Sequence, residues 1–125
     1  LQYTEILPKS LIEAGVLVNI VPCYRTVRAH LDGAQLEKLR EGTPDLALFT
    51  SSSGVRSFVE ILGDADGRNI LKKSVVAVIG SITGSTVESF GKRAEIIPEE
   101  NTIDSLLEAI RRYYYSRQAT GRDYA

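Results

Sequence analysis

Two short segments hold the residue types best suited to chemistry. In the first, the apolar run Leu46-Ala47-Leu48-Phe49 ends in Thr50-Ser51-Ser52-Ser53-Gly54; in the second, Val75-Val76-Ala77-Val78-Ile79 ends in Gly80-Ser81-Ile82-Thr83-Gly84-Ser85-Thr86. In each, glycine and small hydroxyl residues stop a β-rich run, and helix-compatible sequence follows at once. The first N–H groups of a helix have no intrahelical acceptor and carry partial positive charge, so a turn of this kind attracts anions. In an open parallel α/β sheet, ligands bind outside the carboxyl ends of the strands. Two such turns point to a site for an anionic ligand.

Few other side chains are reactive. One cysteine, Cys23, cannot close an internal disulfide, and with the single histidine His30 it forms no metal-ligand cluster of recognisable spacing, so no metal is expected. His30 has no evident partner and reads as a surface or helix-edge residue. Cys23, beside Tyr24 in an apolar stretch, reads as a small buried side chain rather than a nucleophile. Glu99-Glu100 reads as a solvated turn. Arg111-Arg112-Tyr113-Tyr114-Tyr115 interleaves cations with rings, as a nucleic-acid surface does, but at the end of an amphipathic helix it reads as a solvated face with a packing edge.

The elements that must position the two turns follow from pattern. Pro8 to Ala14 with Gly15 behind it predicts a short helix, and Val16 to Val21 is a β-branched run interrupted by Pro22 before Cys23 to Val27 resumes extended character. Leu31, Ala34, Leu36 and Leu39 predict a second helix with Asp32 as N-cap and Gly42 at its end; Thr43-Pro44-Asp45 turns into the strand from Leu46. Val55, Phe58, Val59, Ile61 and Leu62 have helical spacing, and Gly63 to Gly67 breaks that helix before a short Ile70-Leu71 stretch. Strand Val75 to Ile79, helix Thr83 to Phe90 with Gly91 as cap, and strand Ala94 to Ile97 stopped by Pro98 continue the alternation. A last amphipathic helix opens at Thr102, and beyond about Ser116 the chain is a polar, frayed tail. Such alternation predicts an open parallel sheet with helices on both faces, flavodoxin-like or Rossmann-like. Three strands make a small sheet, so the N-terminal segment or a part of a parent chain should supply more.

A chain of 125 residues, 43% hydrophobic and 25% charged, suffices for one ordinary domain with a core. With 15 basic and 16 acidic side chains it offers no broad nucleic-acid or membrane footprint, so anion recognition must be local. No apolar run approaches the roughly 18 residues of a membrane span, and the N-terminus has no signal-peptide pattern, which makes a cytoplasmic setting the expectation. The chain contains no methionine and begins at Leu1, which reads as a piece of a longer protein.

Taken together, Phe49-Thr50-Ser51-Ser52-Ser53-Gly54-Val55-Arg56-Ser57-Phe58, Val78-Ile79-Gly80-Ser81-Ile82-Thr83 and Ile97-Pro98-Glu99-Glu100-Asn101-Thr102-Ile103 resemble the uroporphyrinogen-III synthase family in order and spacing. Leu7-Pro8, Leu11, Ala14-Gly15 and the run to Tyr24-Arg25-Thr26-Val27 extend the likeness from Leu7 to about Ile110. The resemblance implies two α/β lobes joined by extended strands, with the active site between them, and this chain looks like the C-terminal half. Residues 1–23 would then be the last helix and strand of one lobe, 24–28 a connecting strand, 29–116 the second lobe and 117–125 the tail. The family closes linear hydroxymethylbilane into uroporphyrinogen III, losing water and inverting ring D, without metal or organic cofactor. The implied partners are a small tetrapyrrole substrate rich in carboxylates and the rest of the parent chain, which is sometimes fused to a tetrapyrrole methyltransferase; neither nucleic acid nor membrane is implied.

By the same resemblance, Tyr24 matches a tyrosine on the connecting strand that assists departure of the substrate hydroxyl, although it would pass equally for a packing residue with a wet hydroxyl. Thr83 matches a threonine whose hydroxyl and N–H bind a substrate carboxylate; its plain reading is a helix N-cap or first-turn residue. Ser51, Ser53, Gly54, Gly80 and Ile82 are the remaining binding positions, while Ser52 reads as a simple turn residue. Ser52 and Ser81 stand where many members have proline, and Ile82 where a second threonine is common, changes that should loosen both turns. A second reading is a non-catalytic α/β module binding phosphate or carboxylate through the same turns. Against it, Gly80-Ser81-Ile82-Thr83-Gly84 has neither the full dinucleotide spacing nor a P-loop lysine.

Overall fold

The computed structural model describes residues 5–25, 27 and 30–119. Thr26 and Arg28 of the expected connecting strand, and residues 120–125 of the expected tail, lie outside the described residues. The chain divides into two compact units, Leu1–His30 and Leu31–Ala125.

The first unit contains helix α1 (Ile6–Glu13), which ends as its glycine predicts. Gly15 takes φ +80°, and the Gly15 and Val16 N–H groups bond back to the Ile12 and Leu11 carbonyls, both at 2.9 Å. This Schellman closure suits a residue without Cβ. The β-branched run after it forms no strand: residues 16–25 pair with no described residue. A strand exists only through its ladder, and β-propensity alone does not satisfy a backbone. Leu17 is 99% exposed, and Cys23, expected to be buried, is an exposed free thiol because no described residue packs over it.

The second unit opens with α2 (Gly33–Glu41), started by a reciprocal capping box: Gln35 N–H donates to the Asp32 carboxylate at 2.8 Å and Asp32 N–H to the Gln35 side chain at 3.3 Å. Strands β1 (Leu46–Phe49) and β2 (Val75–Val78) pair in parallel, Leu46 beside Val75 through Phe49 beside Val78. Between them run α3 (Ser52–Leu62) and α4 (Asp64–Lys73). After β2 come α5 (Ser81–Ser89) and the long α6 (Ile103–Ala119), started by the Thr102 hydroxyl accepting from Ser105 N–H at 3.2 Å. The sheet has helices on both faces. Ala47, Phe49, Val76 and Val78 join Val55, Val59, Leu71 and Val87 in one core, and Ala77 with Ile96 meets Leu106 of α6 in the other.

Three expectations need correction. The third strand is reduced to one parallel bridge, Ile96 beside Ala77, because a side chain takes a ladder position: the Glu95 carboxylate, paired with Lys92, accepts Val76 N–H at 2.8 Å. The break at Gly63 to Gly67 is instead a turn and a helix. Gly63 alone makes the turn at φ +88°, and Asp64 and Asp66 in the first turn of α4, with Lys72 and Lys73 in its last, complement the helix dipole. Gly67 sits where α4 crosses α3: a Cβ there would lie 2.8 Å from Val59 Cα. Finally, α6 continues past Ser116 to Ala119, with Arg117 stacked over the Tyr113 ring one turn back at 5.1 Å.

Candidate anion-binding site

Each hydroxyl-rich turn becomes a helix N-terminus, and the two lie side by side. At the first, Ser51 is extended (φ −157°, ψ 152°) and its hydroxyl accepts Gly54 N–H at 3.1 Å, with the Ser53 hydroxyl also 3.1 Å away. The first backbone bond of α3 is Val55 N–H to Ser51 O at 3.3 Å, so Ser52 and Ser53 keep N–H groups without a partner among the described residues.

At the second turn, Gly80 occupies the N-cap position and offers no side chain to cap with. Gly84 N–H to Gly80 O, at 3.0 Å, is the first bond of α5, leaving the Ser81, Ile82 and Thr83 N–H groups unpaired among the described residues. The helix therefore starts two residues before the position expected, and Thr83, read as a cap or first-turn residue, is the third residue, within the first turn. Thr83 is only 5% exposed, and its hydroxyl has no hydrogen-bond partner among the described residues. Ile82 exposes 80% of its surface, so its part in the site is its backbone.

Ser52 joins the two turns and is not a simple turn residue. Its hydroxyl donates to the Ile82 carbonyl of α5 at 3.4 Å and accepts from the Thr86 hydroxyl at 2.9 Å; Thr86 Oγ1 lies 3.2 Å from the same carbonyl. Where looser turns were the expectation, the first turn is capped by Ser51 and tied across to α5 by Ser52.

Sequence reasoning missed Thr86 and Asn101. Thr86 had a signal, a hydroxyl on the buried face of α5 beside Thr83, Gly84 and Val87. Asn101 had none, because it acts across the chain. Its side chain lies against Gly80 so closely that a Cβ there would sit 2.5 Å from Asn101 Oδ1. Gly80 is needed for space, since its φ of −175° is open to any residue.

Of the expected binding positions, Ser51, Ser53, Gly54, Gly80, Ile82 and Thr83 thus lie at the two adjacent helix N-termini. Tyr24 belongs to the first unit, where the residue is 84% exposed. A separate groove of about 460 Å³ lies between the edge at Ile96-Ile97 and α6, lined by Glu95, Glu99, Arg112 and Tyr113; none of the turn residues line it. Among the described residues no cluster of His, Cys, Asp or Glu is arranged to hold a metal, and no helix is long and apolar enough to cross a membrane.

Residues 2–108 match the family model described as uroporphyrinogen-III synthase HemD. The chain belongs to the uroporphyrinogen-III synthase family. It is 30% identical over 120 residues to the uroporphyrinogen-III synthase of Synechococcus elongatus, covering 93% of this chain and 45% of that protein. To the uroporphyrinogen-III synthase of Chlorobaculum parvum it is 32% identical over 107 residues, 83% of this chain and 42% of the relative. An archaeal protein from Methanothermobacter thermautotrophicus, provisionally given the same name, is 34% identical over 97 residues, 78% of this chain and 38% of its own length. The chain thus spans less than half the length of these uroporphyrinogen-III synthase relatives. No solved structure matches it significantly.

Proposed function

We propose that this chain supplies one wall of the active site of a uroporphyrinogen-III synthase, which cyclises hydroxymethylbilane to uroporphyrinogen III with loss of water and inversion of ring D. The observation that carries this reading, beside the family membership, is the pair of helix N-termini held together by Ser52, with N–H groups at Ser52, Ser53, Ser81, Ile82 and Thr83 unpaired among the described residues. A substrate rich in carboxylates needs partial positive charge distributed along its length. Helix N-termini supply it from backbone that is already ordered, so little reorganisation opposes binding. The Thr83 hydroxyl adds a donor at the mouth of α5.

Catalysis then rests on holding a flexible linear substrate in a curled, productive geometry. The substrate hydroxyl must leave as water, and Tyr24 is the proton donor we assign to it. In this reading residues 1–23 close one lobe, 24–28 lead across, 29–116 form the second lobe, and the remainder of the parent chain supplies the opposite wall.

The test is conversion of hydroxymethylbilane by the full-length parent. The expected product is the type III isomer, and Tyr24→Phe should lower turnover by about 10²-fold or more, the usual scale of a lost general acid. Spontaneous type I product alone would sink the enzyme reading and leave an anion-binding module; an unchanged rate in Tyr24→Phe would remove that residue from the mechanism.

A further inference from the structure

We infer that Ser52 and Thr86 form a clasp that positions the anion-binding amides: it holds the N-termini of α3 and α5 at one spacing so that donors from both helices converge on a single carboxylate. This rests on the reading of the site given above. The contact joins the donor-bearing residues themselves. Ser52 and Ile82 each carry an N–H unpaired among the described residues, and the Ser52 hydroxyl bonds the Ile82 carbonyl at 3.4 Å while Thr86, 7% exposed, donates to Ser52 at 2.9 Å. Neighbouring helices ordinarily lie about 8–10 Å apart and slide with small changes of packing. A carboxylate accepts N–H groups well only within about 2.7–3.2 Å. A displacement of one helix tip by less than a bond length therefore removes half of the donors. Farther along, Val55 and Val59 of α3 and Val87 of α5 belong to one apolar core, which is non-directional and holds the helices together without fixing their tips. Ser52 and Thr86 are positioning residues, because their hydroxyls are spent on each other and on the backbone.

The test uses the full-length parent and uroporphyrin III as a stable polycarboxylate probe, with binding followed by porphyrin fluorescence and melting temperature measured in parallel. Ser52→Ala and Thr86→Val should each weaken binding about threefold to tenfold, the scale of one lost hydrogen bond. Thr86→Ser, which keeps the hydroxyl, should bind as the parent does. The Ser52→Ala, Thr86→Val double variant should bind no worse than the weaker single variant, since both remove the same device. Unchanged affinity in the single variants, even with a lower melting temperature, overturns the inference by reducing the clasp to packing. So do additive losses, or failure of the parent to bind the probe. Failure of the parent to form the type III isomer, with probe binding behaving as stated, overturns the enzyme reading and leaves the clasp standing.

Discussion

At Gly80 the absence of one carbon decides what surrounds the start of α5. A Cβ there would lie 2.5 Å from Asn101 Oδ1 and 2.8 Å from its Cγ, well inside contact distance. Asn101 is exposed and can swing away, so Gly80→Ala should cost only about 1 kcal/mol, at the low end of overpacking. Most of that cost should vanish in an Asn101→Ala background. Chemical denaturation of the four proteins in the cycle measures it, and an equal cost in both backgrounds would show that Asn101 is not what excludes the methyl group. The residues of this site were unequally legible in the sequence. Ser51 caps α3 as a serine before a helical pattern should. Thr83 stands in the first turn of α5, one of its two expected places, while the start of the helix was read two residues late because Gly80 fills the cap without a side chain to announce it. Asn101 and the tie made by Ser52 depend on which segments meet in space, and spacing along a chain does not report that.

The close crossing of α3 and α4 gives the element scale its sharpest constraint. Gly67 brings the backbones together so that a Cβ would lie 2.8 Å from Val59 Cα. Alanine is the better helix former by about 1 kcal/mol, but a main-chain atom cannot yield as a side-chain tip does. Gly67→Ala should therefore destabilise the protein by about 1–3 kcal/mol. A lowered denaturant midpoint is the expected result, and a raised one would show that the helices separate without cost. This crossing also explains a misreading. Gly63 and Gly67 look alike as punctuation, yet one makes a turn at φ +88° and the other makes room inside a helix. Strands β1 and β2 were plain in the sequence because each is a short, unbroken apolar run closed by glycine and hydroxyl residues, although only β2 is buried along most of its length while Leu48 of β1 stays exposed. The strand around Ile96 was not fully legible, since the exchange of a ladder partner for the Glu95 carboxylate leaves no trace in hydropathy. The run from Val16 to Val21 shows the reverse case: strong propensity, and no described partner to pair with.

Stability is unevenly divided over the whole molecule. Among the described residues the unit Leu31–Ala125 holds those that are buried, Val76, Ala77 and Val78 at 0% exposure among them, whereas α1 buries none. An eight-residue helix with no buried face is marginal in water. Amide hydrogen exchange should separate the units: the Val76 and Val78 amides, bonded to Glu95 and Ile96, should exchange only through global unfolding, while the α1 amides should be protected by less than about tenfold. Comparable protection in both would mean that α1 draws its stability from packing. The net charge of −1 leaves no long-range field to gather a polyanion, so recognition falls to a few oriented groups.

One of those groups is tuned by a bond made on its far side. The Ile82 carbonyl and the Thr83 N–H are opposite ends of one peptide unit, and the hydroxyls of Ser52 and Thr86 both approach the carbonyl end, at 3.4 and 3.2 Å. Hydrogen bonds received at a carbonyl draw electron density through the conjugated amide and leave its N–H more acidic, hence a stronger donor. Ser52, which donates to that carbonyl while Thr86 gives its one proton to Ser52, thus also acts electronically, sharpening an N–H it never touches.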